Sequence, residues 1–266
     1  MTDSKIEWTD RSDWNPVRGC SRVTEACTNC YAEAIAARFC NPGLPFEGFA
    51  HKLGGEARWT GKVELIEDRL LLPLSWRKPA RCFANSTSDF FHEKLPDEAI
   101  DRLFAVMALA PHITFQVLTK RPERMRDYLS RSGVQFRVGL EALGIVMEAK
   151  AKNAKSQIGA GIIIKGSDIN PGALVNWLLP NVWLGTSIHD QASADEFLPL
   201  LSDTPAAMRF ASYEPALGPI KWAGFEFLDW LIAGGESGPK ARPAYPDWFR
   251  AARDWCVNSG TAFFFK

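Results

Sequence analysis

Thr114-Phe115-Gln116-Val117-Leu118-Thr119-Lys120-Arg121-Pro122 is an apolar run that stops on polar and cationic residues and opens a helix read over 122–130. The same grammar recurs from about residue 63 onward. Arg81 to Asn85 reads as a strand, followed by Ser86-Thr87-Ser88-Asp89 and a helix from Pro96 to Ala110. Asn181 to Gly185 precedes Thr186-Ser187-Ile188, and Met208 to Ser212 precedes Tyr213-Glu214-Pro215. Leu228 to Ala233 leads into Gly234-Gly235-Glu236-Ser237-Gly238, Pro246 to Asn258 reads as a helix, and Thr261 to Phe265 as a last strand. Alternating strands and helices imply an α/β fold with mostly parallel strands. Strand ends that carry Ser, Asp, Lys, Glu and Gly place polar chemistry on one rim, where such folds bind ligands.

Only six or seven strands can be counted, so the expected architecture is an incomplete, TIM-barrel-like (β/α) barrel, one domain spanning 1–266. The stretch at about 131–175 breaks the pattern. It holds Ala149-Lys150-Ala151-Lys152-Asn153-Ala154-Lys155, read as a solvated helix face, and an Ile-rich run from Gly159 to Lys165. One βα unit and an insertion are both open there. Tyr31 to Phe39 reads as a helix, and residues 41–61, with many Gly and Pro, as a long surface excursion.

Composition narrows the class. The chain has 266 residues, 46% hydrophobic and 23% charged, as expected for a globular enzyme. Lys plus Arg equal Asp plus Glu at 31 each, so no global field points to nucleic acid or a membrane. Six cysteines are too few for a disulfide scaffold in a chain this long, and three of them are clustered, which favours metal or redox chemistry in a reducing cytosol. The start MTDSKIEWTD has no apolar h-region, and no apolar run approaches a membrane span, so a cytoplasmic protein with no membrane partner is expected.

The clustered thiols lie in Asn15-Pro16-Val17-Arg18-Gly19-Cys20-Ser21-Arg22-Val23-Thr24-Glu25-Ala26-Cys27-Thr28-Asn29-Cys30-Tyr31-Ala32-Glu33, a loop of about 15–33. C-x2-C lets two ligands bite one centre, and Cys20 adds a third. Three thiolates under-fill a four-coordinate site, which suits a cluster or metal that keeps one position for a small molecule. The alternative is zinc with a fourth ligand such as His51, His92 or Asp13. Trp8 and Trp14 are read as core or lid aromatics near this loop. Cys82 and Cys256 lie in apolar contexts and are read as core, and no role follows for Cys40.

The loop Asn15-Pro16-x-x-Gly19-Cys20 … Cys27-x-x-Cys30-Tyr31-Ala32 resembles the cluster loop of radical S-adenosylmethionine (SAM) enzymes, especially the spore photoproduct lyase-like branch. Ser86-Thr87-Ser88-Asp89, Leu118-Thr119-Lys120 … Arg126-Asp127, Gly185-Thr186-Ser187 and Tyr213-Glu214-Pro215 are similar to that branch's strand ends. Over nearly the whole chain, including Phe91-His92 and Gly234 to Gly238, the sequence resembles the phage Gp37/Gp68 family of unknown function. The six residues between Cys20 and Cys27 depart from the usual C-x3-C-x2-C spacing.

The resemblance implies an incomplete barrel of the radical SAM type. Cys20, Cys27 and Cys30 would each bind one iron of a [4Fe–4S] cluster, leaving the fourth iron to the amino and carboxylate groups of SAM. Reductive cleavage would yield a 5′-deoxyadenosyl radical that acts on an unknown substrate, by analogy a nucleic acid or nucleotide. Ser88 and Asp89 are placed to hold the cofactor's amino group or ribose, though turn and cap chemistry explains them equally. Lys120 is expected to pair with the cofactor carboxylate, with Ser187 as a lesser candidate for that task. Glu214 would bind ribose or orient substrate, and Glu236 would accept hydrogen bonds from either, with its two preceding glycines permitting close approach. Arg242 would hold a phosphate or cover an aromatic face, and neither His92 nor His189 is assigned a base role. The other functional class is a non-catalytic zinc- or cluster-binding protein that engages nucleic acid or a protein partner.

Overall fold

The computed structural model of the chain describes residues 4–151 and 175–266. In chain order its elements are β1 (Val17–Arg18), α1 (Tyr31–Arg38), β2 (Ala50–Leu53), β3 (Glu56–Trp59), β4 (Glu64–Leu65), α2 (Glu67–Leu70), β5 (Ala80–Ala84) and α3 (Asp97–Leu109). They continue as β6 (Ile113–Thr119), α4 (Pro122–Ser130), α5 (Val134–Ala151), β7 (Val182–Ile188), α6 (Gln191–Ser202), β8 (Met208–Tyr213), β9 (Trp230–Ala233), α7 (Pro246–Ser259) and β10 (Ala262–Phe265). The main sheet runs β5-β6-β7-β8-β9-β10 with every neighbouring pair parallel. Consecutive strands are neighbours and the order never reverses, so the sheet is wound in one direction like a barrel wall. It curls into a half-barrel. Residues 11–14 extend the β5 edge, where Arg11 bridges Cys82 and the Asn85 N–H donates to the Trp14 carbonyl at 2.8 Å.

Strand periodicity sorts the side chains onto two faces. Cys82, Phe115, Val117, Leu184, Ala211 and Leu231 pack outward into one large core with the helices. Phe83, Phe210, Trp230 and Ile232 point the other way and, with Trp8 from the N-terminal segment, plug the concave side. The plug needs Gly185: a Cβ there would stand 2.6 Å from three ring atoms of Phe210.

The surface excursion holds the antiparallel hairpin β2–β3. The start of the irregular stretch is α5, whose Val134, Val138, Ala142 and Val146 recur every four residues and are buried in the main core. The Gly159–Lys165 run and the end of the lysine-rich segment lie outside the described residues. Trp14 is a core residue, its ring 5.0 Å from Phe115 and its indole N–H donating to the Leu70 carbonyl at 3.1 Å. Cys82 and Cys256 are buried, as expected. Among the described residues no helix is long and apolar enough to cross a membrane.

Gly185→Ala should displace Phe210 and cost about 1–3 kcal/mol, the range for overpacking a well-filled core, read from urea denaturation.

Candidate functional site

The cysteine loop crosses the carboxyl ends of the strands without a core of its own, so polar contacts hold it. At its start Gly19 has φ 85°, and a Cβ there would fall 1.8 Å from the Lys62 carbonyl oxygen, which only glycine avoids. On the β5–β6 side, Ser88 Oγ donates to the Gly19 carbonyl and the Tyr31 hydroxyl to the Ser86 carbonyl. Arg121 Nη2 donates to Ser21 O at 3.2 Å and Ser21 Oγ at 2.9 Å, while Nη1 lies 3.9 Å from Cys20 Sγ. On the β9 side, Asn29 Nδ2 donates to Glu236 Oε2 and to the Lys240 carbonyl, both at 2.9 Å, and Arg242 reaches Glu25 at 3.2 Å.

Two carboxylates serve as anchors for this loop. Asp89, 5% exposed, accepts from Thr119 Oγ1 at 2.7 Å, Phe91 N at 2.9 Å, Lys120 N at 3.1 Å and Arg121 Nη1 at 3.1 Å. Those four bonds occupy the acceptor sites of one carboxylate. Burial works against the charge of Arg121, and Asp89 foremost among its neighbours outweighs it, so the guanidinium pKa is raised. Glu236 is likewise engaged, by Arg242 Nε at 2.9 Å, Arg242 N at 2.9 Å and Asn29. The Arg242 side chain, then its backbone N–H and Asn29, hold the Glu236 carboxyl down to about 2. Arg242 therefore clamps Glu236. Gly234 and Gly235 are not in the left-handed region. Gly234 instead leaves room for Lys266 and Glu214, whose side chains a Cβ would approach at 3.3 and 3.6 Å.

A cavity of about 320 Å³ lies beneath the loop. Cys20, Cys27, Cys30, Ser88, Asp89, Lys120, Ser187, Glu214 and Glu236 all line it. Lys120 Nζ donates to Ser187 Oγ at 3.2 Å and meets no carboxylate among the described residues. Its ammonium thus keeps donors for an anion. Glu214 Oε1 accepts from Lys266 Nζ at 2.5 Å.

The three thiols sit in different fields. Burial and then the Asp89 charge push Cys20 up to about 12. Burial works to raise Cys27, but Lys120 and the backbone N–H groups of Val23 and Thr24 outweigh it and leave its pKa lowered. Cys30 stands at the N-cap of α1, where burial raises its pKa against the Glu33 N–H and Lys120. Among the described residues no group of three His, Cys, Asp or Glu side chains is placed to hold a metal ion.

The fourth ligands considered for zinc lie off the cavity wall. His92 Nδ1 accepts from Lys94 N at 3.1 Å, so Nε2 carries the proton and donates to Ser21 Oγ at 2.9 Å. Burial and then Arg121 push the His92 pKa down to about 4, keeping the ring neutral. Asp13 pairs with Arg11 at 2.6 Å, and His51 is exposed on β2 opposite Arg58. His189 is buried away from the cavity.

The family model described as "Protein of unknown function (DUF5131)" matches residues 3–266. The chain belongs to the DUF5131 family. No curated protein and no solved structure matches it. The cavity and loop residues to which sequence reading gave no role are Arg121, Asn29 and Asn85. Arg121 and Asn29 were adjacent to the motifs, one beside Lys120 and the other inside C-x2-C, but nothing local assigned them partners.

Arg121→Ala should cost about 3–5 kcal/mol in urea denaturation, because it leaves Asp89 buried and unpaired. The Glu236 carboxyl is depressed in the folded state, so its anchoring is complete above the ordinary value of 4.5 and is lost as pH falls toward about 2. Hydrogen exchange of residues 25–30 should therefore speed up, relative to the core, between pH 5 and about 3, and Glu236→Gln should show weak protection at both.

Proposed function

We propose that this protein is an enzyme of the radical SAM type, in which Cys20, Cys27 and Cys30 hold a [4Fe–4S] cluster and Lys120 binds the carboxylate of SAM. The single observation that carries the reading is the meeting of three thiols and one carboxylate-free lysine in a cavity at the carboxyl rim of a parallel, barrel-like sheet. The donor set fits the group: three soft thiolate ligands leave one iron for a small molecule. The likeness of the cysteine loop and strand ends to radical SAM enzymes supports the same reading. When bound, the cluster supplies the electron that reductive cleavage of the sulfonium requires.

The chain's own residues provide position and dryness. Arg121 and Glu236 hold the two flanks of the cysteine loop over the cavity. Lys120 presents an ammonium next to Ser187, and Glu214 offers a carboxylate shared with Lys266. Ser88 and Asp89 support the rim through Gly19 and Lys120 N, so their contribution to a ligand is through placement. The zinc reading is less well supported, since Asp13, His51 and His92 are placed or engaged elsewhere.

Anaerobic reconstitution with iron and sulfide should give about four of each per chain with broad visible absorption, and reduction in the presence of SAM should release 5′-deoxyadenosine. Cys27→Ala should lose iron binding while the sheet's circular dichroism is kept. Lys120→Ala should load iron normally and weaken SAM binding at least tenfold, consistent with loss of a charge-assisted contact. A brown, iron-loaded Cys27→Ala protein, or wild-type protein that fills with zinc and never with iron, would contradict the assignment.

A further inference from the structure

The two edges of the main sheet are finished differently. Residues 11–14 cover β5, where Arg11 bridges Cys82, whereas β10 pairs only with β9. In that parallel ladder Ala262 N donates to the Asp229 carbonyl at 3.1 Å and Lys266 N to the Ala233 carbonyl at 2.9 Å. Successive peptide groups alternate in direction along a strand, so the N–H and C=O of Phe263 and Phe265 point away from β9. Among the described residues neither main chain has a partner on that side. Such an edge is a template for a further strand, and proteins commonly blunt it with charge, proline, a bulge or a covering segment. β10 reads Ala-Phe-Phe-Phe and carries none of these among the described residues.

The side chains and the position of the edge define what suits it. Phe265 is 57% exposed on the helix side, its ring 5.0 Å from Phe249, and Phe264 is half-buried on the concave side against the aromatic plug. A polypeptide laid along β10 would set alternate side chains against these two apolar flanks. Lys266, the next residue, lines the cavity and donates to Glu214 at 2.5 Å. The edge therefore leads into the cavity at its rim. Its rim cation is already paired, which gives a phosphate backbone no advantage there, while the outward peptide groups match another main chain.

We propose that the substrate of this site is a polypeptide, an extended segment of which adds to β10 as a seventh strand and delivers its adjoining residues past Lys266 into the cavity. The proposal rests on the cavity being the reaction site of the reading above and names its substrate class. Main-chain bonds to Phe263 and Phe265 supply affinity with little regard to sequence. The flanks at Phe264 and Phe265 add a preference for apolar residues at alternate positions.

A random twelve-residue peptide library displayed on phage and selected on iron-free protein supplies the probe, and the tightest peptide is then synthesised. Bound peptide should slow exchange of the Phe263 and Phe265 amides about fivefold or more, and that of Phe264 and Lys266, already bonded to β9, much less. N-methylating alternate peptide residues should weaken binding about tenfold in one of the two alternating sets and not in the other. Phe265→Pro removes an outward N–H that β9 does not use, and should weaken binding about tenfold beyond any loss shown by Phe265→Ala, with unchanged circular dichroism. Should the proline disturb folding, the two methylated peptides decide alone. The same peptide carrying a chloroacetyl-lysine at one end or the other should alkylate Cys20, Cys27 or Cys30, mapped by mass spectrometry, in preference to the three cysteines outside the cavity. A library that yields no peptide, equal binding of both methylated sets, or slow exchange of Phe263 and Phe265 in self-associated protein without peptide would overturn the edge site. Edge binding with no alkylation of a cavity cysteine would overturn delivery to the cavity. Every measurement uses iron-free protein and iron loading is read separately, so a failed peptide site and a failed cluster assignment give different results.

Discussion

One buried guanidinium couples the cysteine loop to the sheet. Arg121 touches Asp89 and Glu93 on the rim and Ser21 and Cys20 in the loop. A desolvated cation is tolerated only where its partners are all in place, so the loop and the rim cannot shift independently without exposing an unmet charge. The same Asp89 carboxylate that neutralises Arg121 also accepts from the backbone of Lys120. A single acid therefore sets the position of one thiol, through Arg121, and of the ammonium that faces the thiols.

The opposite flank repeats the device with different residues. Glu236, at the carboxyl end of β9, takes Asn29 from inside the C-x2-C pair and Arg242 from beyond its own turn. Between these two anchors the loop spans the open side of the half-barrel, and the aromatic plug of Trp8, Phe83, Phe210 and Trp230 closes the space below. The result is a cavity whose acids are mostly consumed in holding it together, while Lys120 retains spare donors. That imbalance leaves one ammonium without a carboxylate partner, among the described residues, in the cavity that the three thiols line.

Much of this architecture could be read from local pattern. The strand expected over Thr114–Leu118 is β6 at Ile113–Thr119, and the helix expected from Pro122 starts there because proline suits the first helical turn. β7 runs on through Thr186-Ser187-Ile188, which look like a loop by polarity but pair with β8, Ser187 opposite Ser212. The hairpin at 50–59 was hidden among glycines, prolines and charged residues that resemble an unstructured excursion. In α5 the signal was present, since Val134, Val138, Ala142 and Val146 repeat at helical spacing, but it was masked by the irregular sequence that follows. The three cysteines and Ser88, Asp89, Lys120, Ser187, Glu214 and Glu236 all line the cavity, whereas Arg242 and the zinc candidates Asp13, His51 and His92 do not; what each one does was less legible.

The chain's order of apolar runs, polar strand ends and clustered thiols was enough to determine a parallel α/β sheet with its chemistry on one rim, because those features depend on residues a few positions apart. The division of labour among the charged residues was decided only by tertiary structure. Asp89 and Glu236 read in sequence as groups free to meet a ligand, yet each is engaged by distant partners, Asn29 reaching Glu236 across 207 positions. Whether a carboxylate is an anchor or a binding group depends on which opposite charge lies within about 3 Å of it, and that distance is set by the folding of remote segments onto each other.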